Sequence, residues 1–187
     1  MKKTLLLLGL CLSLGGSFAQ DSEPLVAASR AAVKVYATRL KGELVKAMKS
    51  GGPLQAIEVC HGKAPMIARE VSLEKGLRIG RTSLKTRNPG NAPDAWERKV
   101  LVSFEERKAR GESPSKMEYS ELVERNGQRE FRYMKAIPTG AVCLNCHGAD
   151  IAPAVAAKLD ALYPQDQARG FKMGDIRGAF TIRQSKE

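Results

Sequence analysis

Five consecutive residues near the end of the chain, Cys143-Leu144-Asn145-Cys146-His147, carry its most specific chemical signal. Two thiols three positions apart project from one short turn, and an imidazole follows directly. That spacing lets both sulfurs add to vinyl groups on one porphyrin edge while the histidine is held beneath the iron as its proximal ligand. The pattern implies one covalently attached haem c. Two other chemistries use the same side chains. Structural zinc could take Cys143 and Cys146 but needs two further ligands, and His147 sits immediately beside Cys146. A thioredoxin-like redox pair sits at a helix N-terminus in a βαβ setting, which is absent here.

If His147 takes one axial position, the other decides the chemistry. The chain has two histidines and four cysteines. Cys11 lies in the leader discussed below, so Cys60 is the one thiol left after the haem takes two. An unpaired cysteine in an oxidising compartment calls for a role, and a metal-bound thiolate would be protected from stray oxidation. His61, the second histidine, is its direct neighbour. Neighbours on a helix point about 100° apart, so only one of the two can face the iron. Met66, Met134 and Met173 are the remaining candidates. A buried, inert Cys60, a surface His61 and packing methionines are the ordinary alternatives.

These residues must be positioned by a chain of 187 residues. Residues 1–19 read as a cleaved signal peptide, with Lys2 and Lys3, an apolar run from Leu5 to Leu14, and Ser17-Phe18-Ala19 as a small-x-small site. Residues 20–187 then form a single haem-binding domain with no segment long enough to span a membrane. Export suits the haem, since bacterial c-type haems are attached outside the cytoplasmic membrane. Loss of the leader removes two lysines and no acid, so the formal charge falls from +11 to +9. For an exported protein this basic surface implies an acidic redox partner, not nucleic acid.

Periodicity orders the rest. Val33, Tyr36, Leu40, Leu44 and Met48 form one helical stripe from Asp21 to the Gly51-Gly52 break. A second helix starts at Pro53 and should kink just after Cys60, because Pro65 offers no N–H to the carbonyl of His61. Helical spacing resumes over 65–74. Leu77 to Ser83 reads as a strand, and a Pro/Gly-punctuated loop carries Lys85 and Arg87. Arg81, Lys85 or Arg87 could pair with haem propionates, guanidinium being a bidentate partner for carboxylate. A helix from Pro93 to Arg110 shows Trp96, Val100, Leu101 and Phe104 on one face. Strands over 117–124 and 130–137 flank Arg125-Asn126-Gly127-Gln128, a strong hairpin signal. A helix from Pro153 and a strand from Ile176 to Arg183 complete an α+β domain: N-terminal helices, then an antiparallel sheet interrupted by the C-x-x-C-H insertion.

Several longer segments resemble a bacterial single-haem c-type family known largely as a domain of unknown function. They are Ala56 to Cys60 with Ala64-Pro65, Arg81 to Lys85, Arg87-Asn88-Pro89, Asn91 to Asp94, Cys143 to His147, and Gly174 to Ala179. The resemblance implies a PAS-like sheet with N-terminal helices packed on it, His147 as proximal ligand and, unusually, Cys60 as distal ligand. With both axial positions filled there is no open site for substrate, so peroxidase or oxygenase chemistry is not expected. Two functions remain: a low-potential electron carrier, or a redox or gas sensor acting through a separate partner.

Overall fold

The structure, a computed structural model, describes residues 22–125 and 127–186. The leader expected over residues 1–19, and Asn126 of the hairpin turn, lie outside the described residues. Helix α1 (Glu23–Glu58) starts with Pro24 in its first turn and buries Val26, Ala32, Val33 and Tyr36. The break expected at the paired glycines is present within it: Gly51 leaves helical geometry and Gly52 adopts φ 64°, a left-handed conformation glycine enters freely.

The irregularity expected just after Cys60 is not an open break in the helix. Residues Val59–Lys63 instead form a π-turn that leads into α2 (Ala64–Lys75), with the Ala64 N–H bonded to the Val59 carbonyl five residues back. Widening the helix by one residue accommodates a proline that cannot donate to the His61 carbonyl, and helical backbone geometry runs on from Val59 into Ala64. The Tyr36 hydroxyl, itself buried, donates to the Ala64 carbonyl at 3.2 Å and ties the end of this turn to α1.

Strand β1 (Arg78–Thr82) follows, then α3 (Ala95–Ala109), β2 (Glu118–Arg125), β3 (Gln128–Pro138), α4 (Ala141–His147), α5 (Pro153–Leu162) and β4 (Ile176–Lys186). Helix α3 opens with a reciprocal capping box: Asp94 accepts from the Glu97 N–H at 2.8 Å and Glu97 from the Asp94 N–H at 3.0 Å. The strands pair antiparallel in the order β1-β4-β3-β2, so the last strand inserts between the first and third. The fold is α+β, with α4 and α5 inserted between two hydrogen-bonded neighbours, β3 and β4.

Alternation along the central strands gives the sheet two buried faces. Ile79, Phe131, Tyr133 and Ile182 pack under α1 and α2 with Val33, Tyr36, Ile67 and Val71. Met134, Ala136 and Ala179 face the other way, against Val100, Leu101 and Phe104 of α3. Beneath α3 a polar network joins the layers: Arg132 bonds Asp94 at 2.7 Å and Glu97 at 3.1 Å, and Thr181 and Arg183 also reach Glu97. A third cluster of Ile57, Val155, Leu159 and Tyr163 packs the inserted α5 on the end of α1, with Cys146 against it. That contact carries the C-x-x-C-H segment up to the π-turn. No helix among the described residues is long and apolar enough to cross a membrane.

Candidate haem site

Cys143, Cys146 and His147 all lie on α4, a helix too short to be stable alone. Its C-terminus is held by tertiary bonds. Buried Arg87 donates to the Cys146 carbonyl at 2.6 Å, to the Ala168 carbonyl at 3.2 Å and to Asp166 at 3.1 Å. The following loop also pairs with the helix end, through Phe171 N–H to the His147 carbonyl and Gly170 N–H to the Gly148 carbonyl. Arg87 was expected at a propionate. The structure shows its Nε and one Nη bonded to the protein around His147.

The imidazole of His147 is oriented by the same loop. Its Nδ1 lies 2.8 Å from the Ala168 carbonyl, an acceptor only, so Nδ1 carries the proton and Nε2 keeps its lone pair. Burial, with the nearby Arg177 and Arg87 cations, pushes the His147 pKa down to about 2. The ring is therefore neutral, as a metal ligand requires. Phe171 meets it edge-on at 6.2 Å, and the Arg177 guanidinium lies against it, Nε 3.2 and 3.4 Å from the ring nitrogens.

Cys60 faces this region from the π-turn. The three cysteines are free thiols of intermediate exposure. Burial raises the Cys146 pKa, with Arg87 opposing, and negative charge on Cys60 or Cys143 would raise it further, so the thiols share one electrostatic neighbourhood. Tyr36, Tyr163 and Arg177 feel Cys60 in the same way. His61 is more open to solvent than Cys60. It is exposed, stands edge-on to Tyr163 at 5.3 Å, and lines a cleft of about 180 Å³ with Asn88, Pro89 and Pro164. Met134 lies in the core under α3, while Met66 and Met173 are on the surface at 60% and 63% exposure. Arg81, the other expected propionate partner, rests over the Tyr36 ring at 5.9 Å.

The donor set fits a haem: two thiols at thioether spacing, a neutral imidazole with Nε2 unprotonated, a third thiol on the neighbouring element, and several cations around them. Among the described residues no group of three or more His, Cys, Asp or Glu side chains gathers to hold a metal ion. Sequence reasoning missed Arg177, Asp166, Ala168 and Phe171. Arg177 stood within a recognised segment, but only strand order brings it to His147.

Fold and site together define a class: an α+β domain whose inserted C-x-x-C-H helix is packed against a cysteine-bearing π-turn. The Tll0287-like family profile matches residues 17–185, and the chain belongs to that family. Its fold is similar to the crystal structure of the cyanobacterial heme-protein Tll0287, with TM-score 0.63 and 21% identity over 90% of this chain and 96% of that one. No curated protein matches the chain.

Proposed function

We propose that the chain is an exported monohaem c-type protein that carries electrons at low potential. The observation that carries this reading is His147, the C-x-x-C-H histidine, held neutral with Nδ1 bonded to the Ala168 carbonyl, which leaves Nε2 unprotonated. The description of the family's solved structure as a heme-protein supports the same cofactor. Cys143 and Cys146 would anchor the haem, and His147 and Cys60 would ligate it. When bound, the group supplies reversible one-electron chemistry. A thiolate at Cys60 would favour the ferric state and lower the potential below that of a Met/His haem. The leader-like residues 1–19 support attachment outside the cytoplasm, and the net positive charge suits an acidic redox partner.

A second reading, a redox or gas sensor, draws on the π-turn. Such turns mark functional sites, and displacement of Cys60 would move an element continuous with α1 and α2. Expression with c-type maturation machinery separates these ideas. A pyridine haemochrome spectrum is expected to show covalent haem c. Electron paramagnetic resonance is expected to lose its thiolate low-spin signature in Cys60→Ala and to keep it in His61→Ala; the reverse would refute the ligand assignment. Rapid CO binding by the ferrous protein would favour sensing, whereas a ferrous haem that stays six-coordinate favours electron transfer. Colourless protein would refute both.

A further inference from the structure

Arg177, in β4, carries a guanidinium whose polar neighbours within hydrogen-bond distance are all uncharged. They are the His147 ring, the Ser83 hydroxyl at 3.2 Å and the Lys85 carbonyl at 3.3 Å. Its face lies 5.2 Å from the centre of the Phe171 ring, and the Lys85 ammonium lies 4.9 Å from the same ring. Arg81 sits nearby on Tyr36, close enough for its charge to act on Arg177. Among the described residues, none of Arg81, Lys85 and Arg177 has a carboxylate oxygen within 4 Å. The acid beside them, Asp166, is already bonded to Arg87 and Arg169.

Gathering cations without a counter-ion is costly, because they repel one another and the half-buried Arg81 and Arg177 also lose hydration, while exposed Lys85 donates to the Arg169 carbonyl at 2.6 Å. The arrangement is stable when an anion enters. Haem brings two propionate carboxylates, and a guanidinium can grip a carboxylate through two parallel hydrogen bonds. We propose that Arg177, flanked by Arg81 and Lys85, forms the carboxylate-binding cradle for a haem propionate. The role falls on Arg177 and not on Arg87, because Arg87 already has a carboxylate partner in Asp166, whereas the neighbours of Arg177 are uncharged. The proposal rests on the haem reading above.

The test uses the matured holoprotein and its Arg177→Leu and Arg177→Lys variants, with Arg98→Leu, an exposed position on α3, as a charge-matched control. Haem staining first establishes covalent attachment. Arg177→Leu is expected to keep its haem but to shift the propionate bending band in resonance Raman and lower the midpoint potential. Arg177→Lys restores both in part, and Arg98→Leu moves neither. A loaded Arg177→Leu protein with the wild-type band and potential overturns the cradle alone, as does an equal shift in Arg98→Leu. Wild-type protein lacking covalent haem overturns the haem reading itself. Should Arg177→Leu fail to accumulate, Arg81→Leu and Arg177→Lys report the same band, and wild-type behaviour in both overturns the proposal.

Discussion

Arg87→Met removes the cation that fastens α4 to its supporting loop while keeping most of the side chain's packing. Three hydrogen bonds go, and their worth differs. Asp166 retains Arg169 and the Ala168 N–H, at 2.9 Å each, so it loses one charge-assisted bond, worth about 1.5–3 kcal/mol. The Ala168 carbonyl keeps His147 as a donor. The Cys146 carbonyl loses a 2.6 Å bond, at a cost of about 1–3 kcal/mol. The total, about 2.5–6 kcal/mol, spans the roughly 3–5 kcal/mol typical of breaking a buried ion pair by removing one partner. For a domain of this size each kcal/mol lowers Tm by about 2–4 °C, so a fall of roughly 10 °C is expected. Urea and thermal unfolding of the holoprotein, followed by far-ultraviolet circular dichroism, measure both. A loss below about 1 kcal/mol would refute the claim that this pair holds the C-x-x-C-H helix in place.

Further outcomes follow from the same geometry. Burial alone would raise the Asp166 pKa, but bonds from Arg87, Arg169 and the Ala168 N–H outweigh it and hold the carboxyl below the usual range. Its stabilising contribution is complete above the unfolded value of about 3.9 and is lost as pH falls through the lowered folded value, so Asp166→Asn should flatten the acid limb of a stability–pH profile. Glu97→Gln is expected to cost about 2–4 kcal/mol by leaving buried Arg132 to Asp94 and a longer contact with Glu130, and its neighbour Arg183 to Asp94. Because Glu97 lies under α3, that variant should keep the wild-type haem spectrum, and an altered spectrum would contradict the separation of the two networks. Gly178→Ala would drive a Cβ into the Thr82 carbonyl and against Ser83 at 3.0 Å. A loss of about 2 kcal/mol or more is expected in chemical denaturation, and a neutral result would mean that β1 can move away from β4.

Much of the architecture was legible before the tertiary structure. The Asn126-Gly127 signal placed a hairpin whose register, Arg125 opposite Gln128, is observed, with Gly127 at φ 73°. The paired glycines marked the break in α1, and the apolar stripe through Val33 and Tyr36 marked its buried side. These features are local: turn chemistry and a 3.6-residue period act over a few neighbours. The π-turn was read as a kink because a proline removes the same hydrogen bond in either case, and only packing decides which way the helix accommodates it. The insertion of β4 between β1 and β3 could not be read from alternation, which says which face is buried but not which strand is the neighbour.

The amino-acid sequence by itself determined the chemistry on offer: paired thiols with an adjoining imidazole, one further cysteine beside a second histidine, and an α+β order of elements. All of this resides in short spacings along the covalent chain. The tertiary structure decided how those groups are held and which cations surround them. It set Arg87 on the C-x-x-C-H helix 59 positions away, and Arg177 against an imidazole 30 positions away. It also left Cys60 half-buried and His61 exposed. Such partners meet only when strands pair and helices dock, because a side chain reaches a few ångströms whereas the chain between them can take countless paths.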